Sequence, residues 1–181
     1  MTATRRQEWR SGAWVCVTAA AALLSGCAEG LSDPRPLPPE ATKASTPPKP
    51  KKNSTEALAV YRAMWRDLTV ASETSNVSSP QLDDHATGGA LELMKYGLGK
   101  SKRENVVSKG APKLDPKVVS ANDLKVTLRD CVDDRNWLQY KLNGELKNDV
   151  PGGHFRVDAT VWRTNGVWKV SDLYMHEVGS C

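Results

Sequence analysis

At Pro112 the hydrophobic period of this chain changes, and that switch limits what it can fold into more than any other feature. Before it, apolar residues recur every three or four positions, the repeat of an amphipathic helix. Leu58, Tyr61, Trp65 and Leu68 follow that spacing, with Val60, Met64 and Ala71 beside them and Arg62, Arg66 and Asp67 opposite. The spacing predicts a helix of about five turns from Asn53, with Glu56 three residues on as a variant of the capping box. Ser79-Pro80 predicts a second, short helix ending near Ala86, because a first turn does not use the donor that Pro lacks. Thr87 then caps a third, with Leu91, Met94 and Leu98 along one side and Gly97 and Gly99 weakening its far end. After Pro112 the repeat is two, the repeat of strands. Helices followed by strands make an α+β domain, its N-terminal helices packed on a curved antiparallel sheet of four to five strands.

Within the strand region, residues 117–121 and 124–132 flank the turn signal Asn122-Asp123. Residues 137–142 form a third strand, with Leu138, Tyr140 and Leu142 on one face. Residues 154–164 and 167–178 flank Asn165-Gly166, the strongest short hairpin signal. A two-residue loop sets Arg163 opposite Trp168, Val161 opposite Val170, Ala159 opposite Asp172 and Val157 opposite Tyr174. The expected core face then holds Phe155, Val157, Ala159, Val161, Trp168 and Val170, together with Asp172, Tyr174 and His176. It carries a carboxylate, Asp172, across from its smallest residue.

The N-terminus reads as an address. Arg5, Arg6 and Arg10 precede an uncharged stretch, GAWVCVTAAAALLS, which ends in Leu24-Ser25-Gly26-Cys27. The stretch has the length of a signal-peptide core and is too short to span a bilayer. A basic head, an apolar stretch and Leu-Ser-Gly-Cys, in that order, resemble the lipobox of bacterial lipoproteins. That resemblance implies a signal peptide over residues 1–26 and a diacylglycerol on Cys27. It places the protein on the extracytoplasmic face of the cell membrane, held there by the lipid on Cys27. Thr4-Arg5-Arg6 leaves twin-arginine export open beside the general route. Seven of the 11 Pro fall at positions 34–50, in a stretch with little apolar to bury. Residues 27–52 are therefore expected to be a lipidated Cys and an extended, disordered tether, and residues 53–181 the folded domain.

Four Cys are present. Cys16 leaves with the signal peptide and Cys27 is acylated, so Cys131 and Cys181 remain as an even pair in an exported domain. They are expected to form a disulfide, worth about 4 kcal/mol in the chain-entropy account. His85, His154 and His176 make no ligand spacing with them, so no metal is expected. The mature chain has no phosphate loop, dinucleotide fingerprint or Ser-His-Asp motif, so no cofactor is expected either. A net charge of +4 from 25 basic and 21 acidic residues is too balanced for a groove that neutralises phosphates, so no nucleic acid is expected.

The order helix, short helix, helix, then strands ending in Gly166-Val167-Trp168-Lys169-Val170-Ser171-Asp172 resembles the nuclear transport factor 2-like (cystatin-like) cone. With the lipobox, the Tyr61-Arg62-Ala63-Met64-Trp65 helix, His85-Ala86-Thr87-Gly88, Asp130-Cys131 and Val178-Gly179-Ser180-Cys181 are similar to secreted actinobacterial lipoproteins of uncharacterised role. The resemblance implies a pocket at the cone's open end. Tyr61 and Trp65 would wall it, and Tyr140, Asp172 and Tyr174 would supply polar contacts. The first functional reading is a non-catalytic lipid-anchored module that binds a small ligand or an envelope protein. A homodimer through the sheet face, common in the fold, is a further partner. The alternative is a small acid–base enzyme, as in the isomerases, dehydratases and polyketide cyclases of the fold, with Asp172 as base and Tyr140 as donor to an oxyanion. Tyr61 and Trp65 also read as plain core, and Asp172 as a structural carboxylate.

Overall fold

A computed structural model of the protein describes residues 52–150 and 152–181. The expected signal peptide (1–26) and all but the last residue of the expected lipidated Cys and tether (27–52) lie outside them; Lys52 opens the first helix instead. The element order is α1 (Lys52–Ser72), α2 (Leu82–His85), α3 (Gly88–Arg103), β1 (Val106–Gly110), β2 (Lys117–Ala121), β3 (Lys125–Asp133), β4 (Trp137–Lys141), β5 (His154–Thr164) and β6 (Val167–Val178). The expected α+β class holds, with helices packed on antiparallel strands. The strands form a four-stranded sheet in the order β2-β3-β5-β6 and a two-stranded ribbon of β1 and β4. The ribbon was not expected as such. The alternation of β1 is only five residues long, and Gly110 and Pro112 conceal it.

α1 buries Ala57, Tyr61, Met64, Trp65 and Ala71. Its apolar stripe is rotated slightly from the expected one, so Leu58 and Leu68 pack at its edge, half-buried. Full burial of Tyr61 and Met64 contributes on the order of 1.5–3 kcal/mol each. The capping box is not made. The helix opens at Lys52, so Asn53 lies inside it, and the Asn53 amide donates to the β2–β3 turn. Glu56 instead accepts a 3.0 Å hydrogen bond from the Trp168 indole, which ties α1 to β6. At the start of α3, Thr87 is extended and makes no side-chain cap, and the helix runs through Gly97 and Gly99 to Arg103.

The Asn165-Gly166 hairpin forms as its residues dictate, with φ of 52° and 81° at the two turn positions. The expected register holds from Thr164↔Val167 to Val161↔Val170 and then breaks. Thr160 pairs with Asp172 and Ala159 with Leu173, because Ser171 is an extra residue in β6. The cause lies at the open edge of β6. There Ala86 bridges Val170, and the Thr87 N–H donates to the Val170 carbonyl at 2.8 Å. Gly88, at φ 52°, brings the chain so close that a Cβ would meet the Ser171 carbonyl at 3.3 Å. Beyond the bulge the faces exchange. Leu173 now shares the inward face with Ala159, and Asp172, Tyr174 and His176 leave it. The expected core carboxylate is thus expelled and an apolar residue takes its place, which spares the desolvation of an unpaired charge.

Candidate functional site

A cavity of about 500 Å³ lies between the helices and the strands. Trp65 and Leu68 reach it from α1, Met94 and Leu98 from α3, and Trp137 from β4. Phe155, Leu173 and Met175 close its far side from β5 and β6. Helical spacing aims the α1 and α3 residues at it, and the Ser171 bulge delivers Leu173 and Met175. Trp137 is held in place: its ring meets Trp65 edge-on at 6.1 Å, and its indole N–H donates to Ser72 Oγ at 3.2 Å.

Residues 142–150 fold back along β4 as a flap. The Lys147 N–H donates to the Gln139 carbonyl at 2.9 Å, the Lys141 N–H to the Glu145 carbonyl at 2.8 Å, and Tyr140 bridges Leu146. At the flap's far end Asp134 Oδ1 accepts from the Gly153 N–H at 2.6 Å. Gly152 is required there, since a Cβ would stand 2.0 Å from Asp134 Oδ1. Charged groups gather at the cavity's mouth. Lys147 Nζ pairs with Glu104 and also reaches Gln139 Oε1 at 3.1 Å, while Lys100 Nζ stands 3.9 Å from Glu104.

Of the expected pocket residues only Trp65 lines this cavity. Tyr61 is fully buried behind it. Tyr140 does not line it: β4 reaches the cavity with Trp137, Leu138 and Gln139, the last paired with buried Ser108. The Tyr140 ring lies under the Lys109 ammonium at 4.9 Å. Leu142, expected beside it, is exposed beyond the strand's end. Asp172 and Tyr174 are exposed on the outer face of the sheet, where they border a shallow groove. Neither the base nor the oxyanion donor of the enzymatic alternative reaches the interior.

The interior does hold a carboxylate, and it is Asp130. The inward phase of β3 runs Val126, Leu128, Asp130, Val132, all at 2% exposure or less. Asp130 Oδ1 accepts from the Asp115 N–H at 2.7 Å. Its Oδ2, the Tyr61 hydroxyl and the Trp65 indole N–H are buried with no completed hydrogen bond. Burial pushes the Asp130 carboxyl up, against the bond from the Asp115 backbone and the nearby Tyr61 hydroxyl. Burial and then the adjacent Asp130 charge push the Tyr61 hydroxyl up. The signal for Asp130 was present in the alternation of its own strand. Asp130 does not line the cavity; Trp65 stands at both places.

Outside, Asp158 bonds Arg129 Nε at 2.8 Å and His176 Nε2 at 2.8 Å. Burial opposes ionisation there, yet these two partners together hold its carboxyl below the usual range. Cys131 and Cys181 are joined, with Cα atoms 5.9 Å apart. The C-terminal residues cross β5 to reach β3: the Gly179 N–H donates to the His154 carbonyl, and Ser180 Oγ accepts from the Arg156 N–H. Among the described residues no three His, Cys, Asp or Glu side chains gather as a metal site would need.

No protein-family model and no curated protein matches the chain. Several solved structures are similar to it. Aln2 from a Streptomyces species superposes with a TM-score of 0.45 at 13% identity, covering 68% of this chain and 88% of that one. An NTF2-like protein from Cytophaga hutchinsonii gives 0.42 at 14%, over 67% and 98% of the two chains. A protein of unknown function with a cystatin-like fold from Nostoc punctiforme gives 0.38 at 12%, over 67% and 87%. At these identities and TM-scores the likenesses carry no information about what this chain binds or does.

Proposed function

We propose that this protein is a lipid-anchored extracytoplasmic binding module that holds a small, largely apolar ligand in the cavity between α1, α3 and the strands. One observation carries the reading: the cavity is walled by Trp65, Leu68, Met94, Leu98, Trp137 and Phe155, with charge confined to its mouth and the flap base. Its volume of about 500 Å³ falls within the roughly 300–1,000 Å³ of small-molecule sites. A non-catalytic role is favoured because buried Asp130 and the candidates Asp172 and Tyr140 are absent from the lining, and the acids that do line it, Glu104 and Asp134, are held by Lys147 and the Gly153 N–H. The anchor rests on the basic head, the apolar stretch and Leu24-Ser25-Gly26-Cys27. Two or three acyl chains, at about 0.8 kcal/mol per buried CH₂, hold such a domain at a membrane.

Native mass spectrometry of the full chain from its own host tests both parts. The expected spectrum shows a diacylglycerol mass on a chain that begins at Cys27. It also shows a non-covalent adduct released on collisional activation. An unmodified Cys27 would remove the anchor, and an adduct-free spectrum under gentle conditions would remove the ligand.

A further inference from the structure

Resting on the reading of the cavity as a ligand site, we infer that its ligand is an apolar monoanion, a carboxylate on a hydrocarbon body, whose charged end is received at the mouth by Lys147 and Lys100. Around Glu104 the cations outnumber the acid. Lys147, Lys100 and Arg103 all act on one carboxylate, Glu104, with the Lys147 bond as the main reason its carboxyl lies below the usual range. Lys100 and Arg103 also suit the C-terminal end of α3, where cations complement the helix dipole. Lys147 is different. It comes from the flap, and its ammonium spans Glu104 on α3 and Gln139 on β4. Lys100 sits at the long distance of 3.9 Å, so Glu104 does not use it fully. The remaining acid of the lining, Asp134, keeps its charge at the base of the flap, where the Gly153 N–H donates to it, away from the Glu104 cluster. An ammonium ligand would have to displace one of these cations, whereas a carboxylate meets two ammonium groups that face a single carboxylate, Glu104. Charge-assisted bonds of this kind are the stronger class.

The test uses the full-length chain carrying Cys27→Ser, which bears no acyl group. Nile red, a neutral apolar dye, reports occupancy, and dodecanoate, dodecanol and dodecylammonium compete with it at low salt. Dodecanoate is expected to displace the dye at about tenfold lower concentration than dodecanol, with dodecylammonium weakest. Replacing Lys100 and Lys147 together by Met should abolish that difference and leave dodecanol unchanged. Glu104→Gln removes the internal competitor and should favour dodecanoate further, a gain that general loosening of the fold would not give. Equal potency of acid and alcohol, a preference for the amine, a preference that survives the double variant, or no displacement by any of the three would overturn the inference. In each case dye binding itself would leave the ligand-site reading standing. Failure of Nile red to bind at all would take down both.

Discussion

Asp130 stands in the inward phase of β3, between Leu128 and Val132. Its carboxyl is 2% exposed and raised by burial, and one oxygen faces buried groups without a completed bond. A carboxyl raised in the folded state gives stability that is complete below its unfolded pKa and lost as pH rises through the folded one. Asp130→Asn keeps an acceptor for the Asp115 N–H and offers Tyr61 a donor. It should therefore raise the unfolding midpoint at pH 8, by on the order of 1–3 kcal/mol in stability, and change little at pH 4. Urea titrations at the two pH values measure this, and a larger gain at pH 4 would reverse the sign argued here. Position 130 was legible, since the alternation of Val126, Leu128 and Val132 includes it in phase. Asp172 was misplaced because one inserted residue decides its face, and nothing local to Asp172 reveals the insertion.

At the level of elements, β6 shows how a neighbour sets a strand's register. The hairpin turn fixed the four pairs nearest to it, from Thr164↔Val167 to Val161↔Val170. The α2–α3 junction, docked on Val170, then imposed the bulge at Ser171. Turn chemistry is written in two residues, whereas edge docking is a tertiary contact between positions more than eighty residues apart. The same holds for β4, which pairing with β1, Gln139 against Ser108, brings to the cavity. Deleting Ser171 would extend the hairpin register as far as the second irregularity, between Phe155 and Val157, and turn Leu173 and Met175 outward, with Asp172 inward. The loss should be about 3 kcal/mol or more, since a strand's apolar set is exchanged for a carboxylate. Denaturant unfolding of the deletion variant reads this directly. Unchanged stability would show that β6 accepts either register.

For the domain as a unit, the Cys131–Cys181 bond joins β3 to the end of the chain across β5. The bonded residues are 50 apart in sequence, so the crosslink removes unfolded-state entropy worth about 4 kcal/mol. Cys131→Ser with Cys181→Ser should lower stability by up to that amount in chemical denaturation. Dye binding should stay nearly intact, since neither Cys lines the cavity. Loss of binding with the fold retained would give the bond a role at the site. The pairing was legible from the two Cys that lie beyond the expected signal peptide and lipid site, and the α+β class from the switch of period. The cavity was legible only as a consequence of the fold: Trp137, Leu173 and Met175 come to it through a ribbon pairing and a bulge that local patterns do not encode.

If the space between α1, α3 and the strands receives a ligand, filling it from α3 must expel that ligand, and Gly97 is the place to do so. It lies in α3, lines the cavity, and a Cβ built there meets nothing within 4 Å. Gly97→Ala should stabilise the helix by about 0.5–1 kcal/mol. Gly97→Phe should keep that fold and place a ring in the cavity. Nile red titrated into the full-length Cys27→Ser chain should bind, and the Gly97→Phe form should weaken that binding at least about tenfold with its unfolding midpoint maintained. Equal binding by a folded Gly97→Phe variant would contradict the account, because the dye would then be sitting elsewhere.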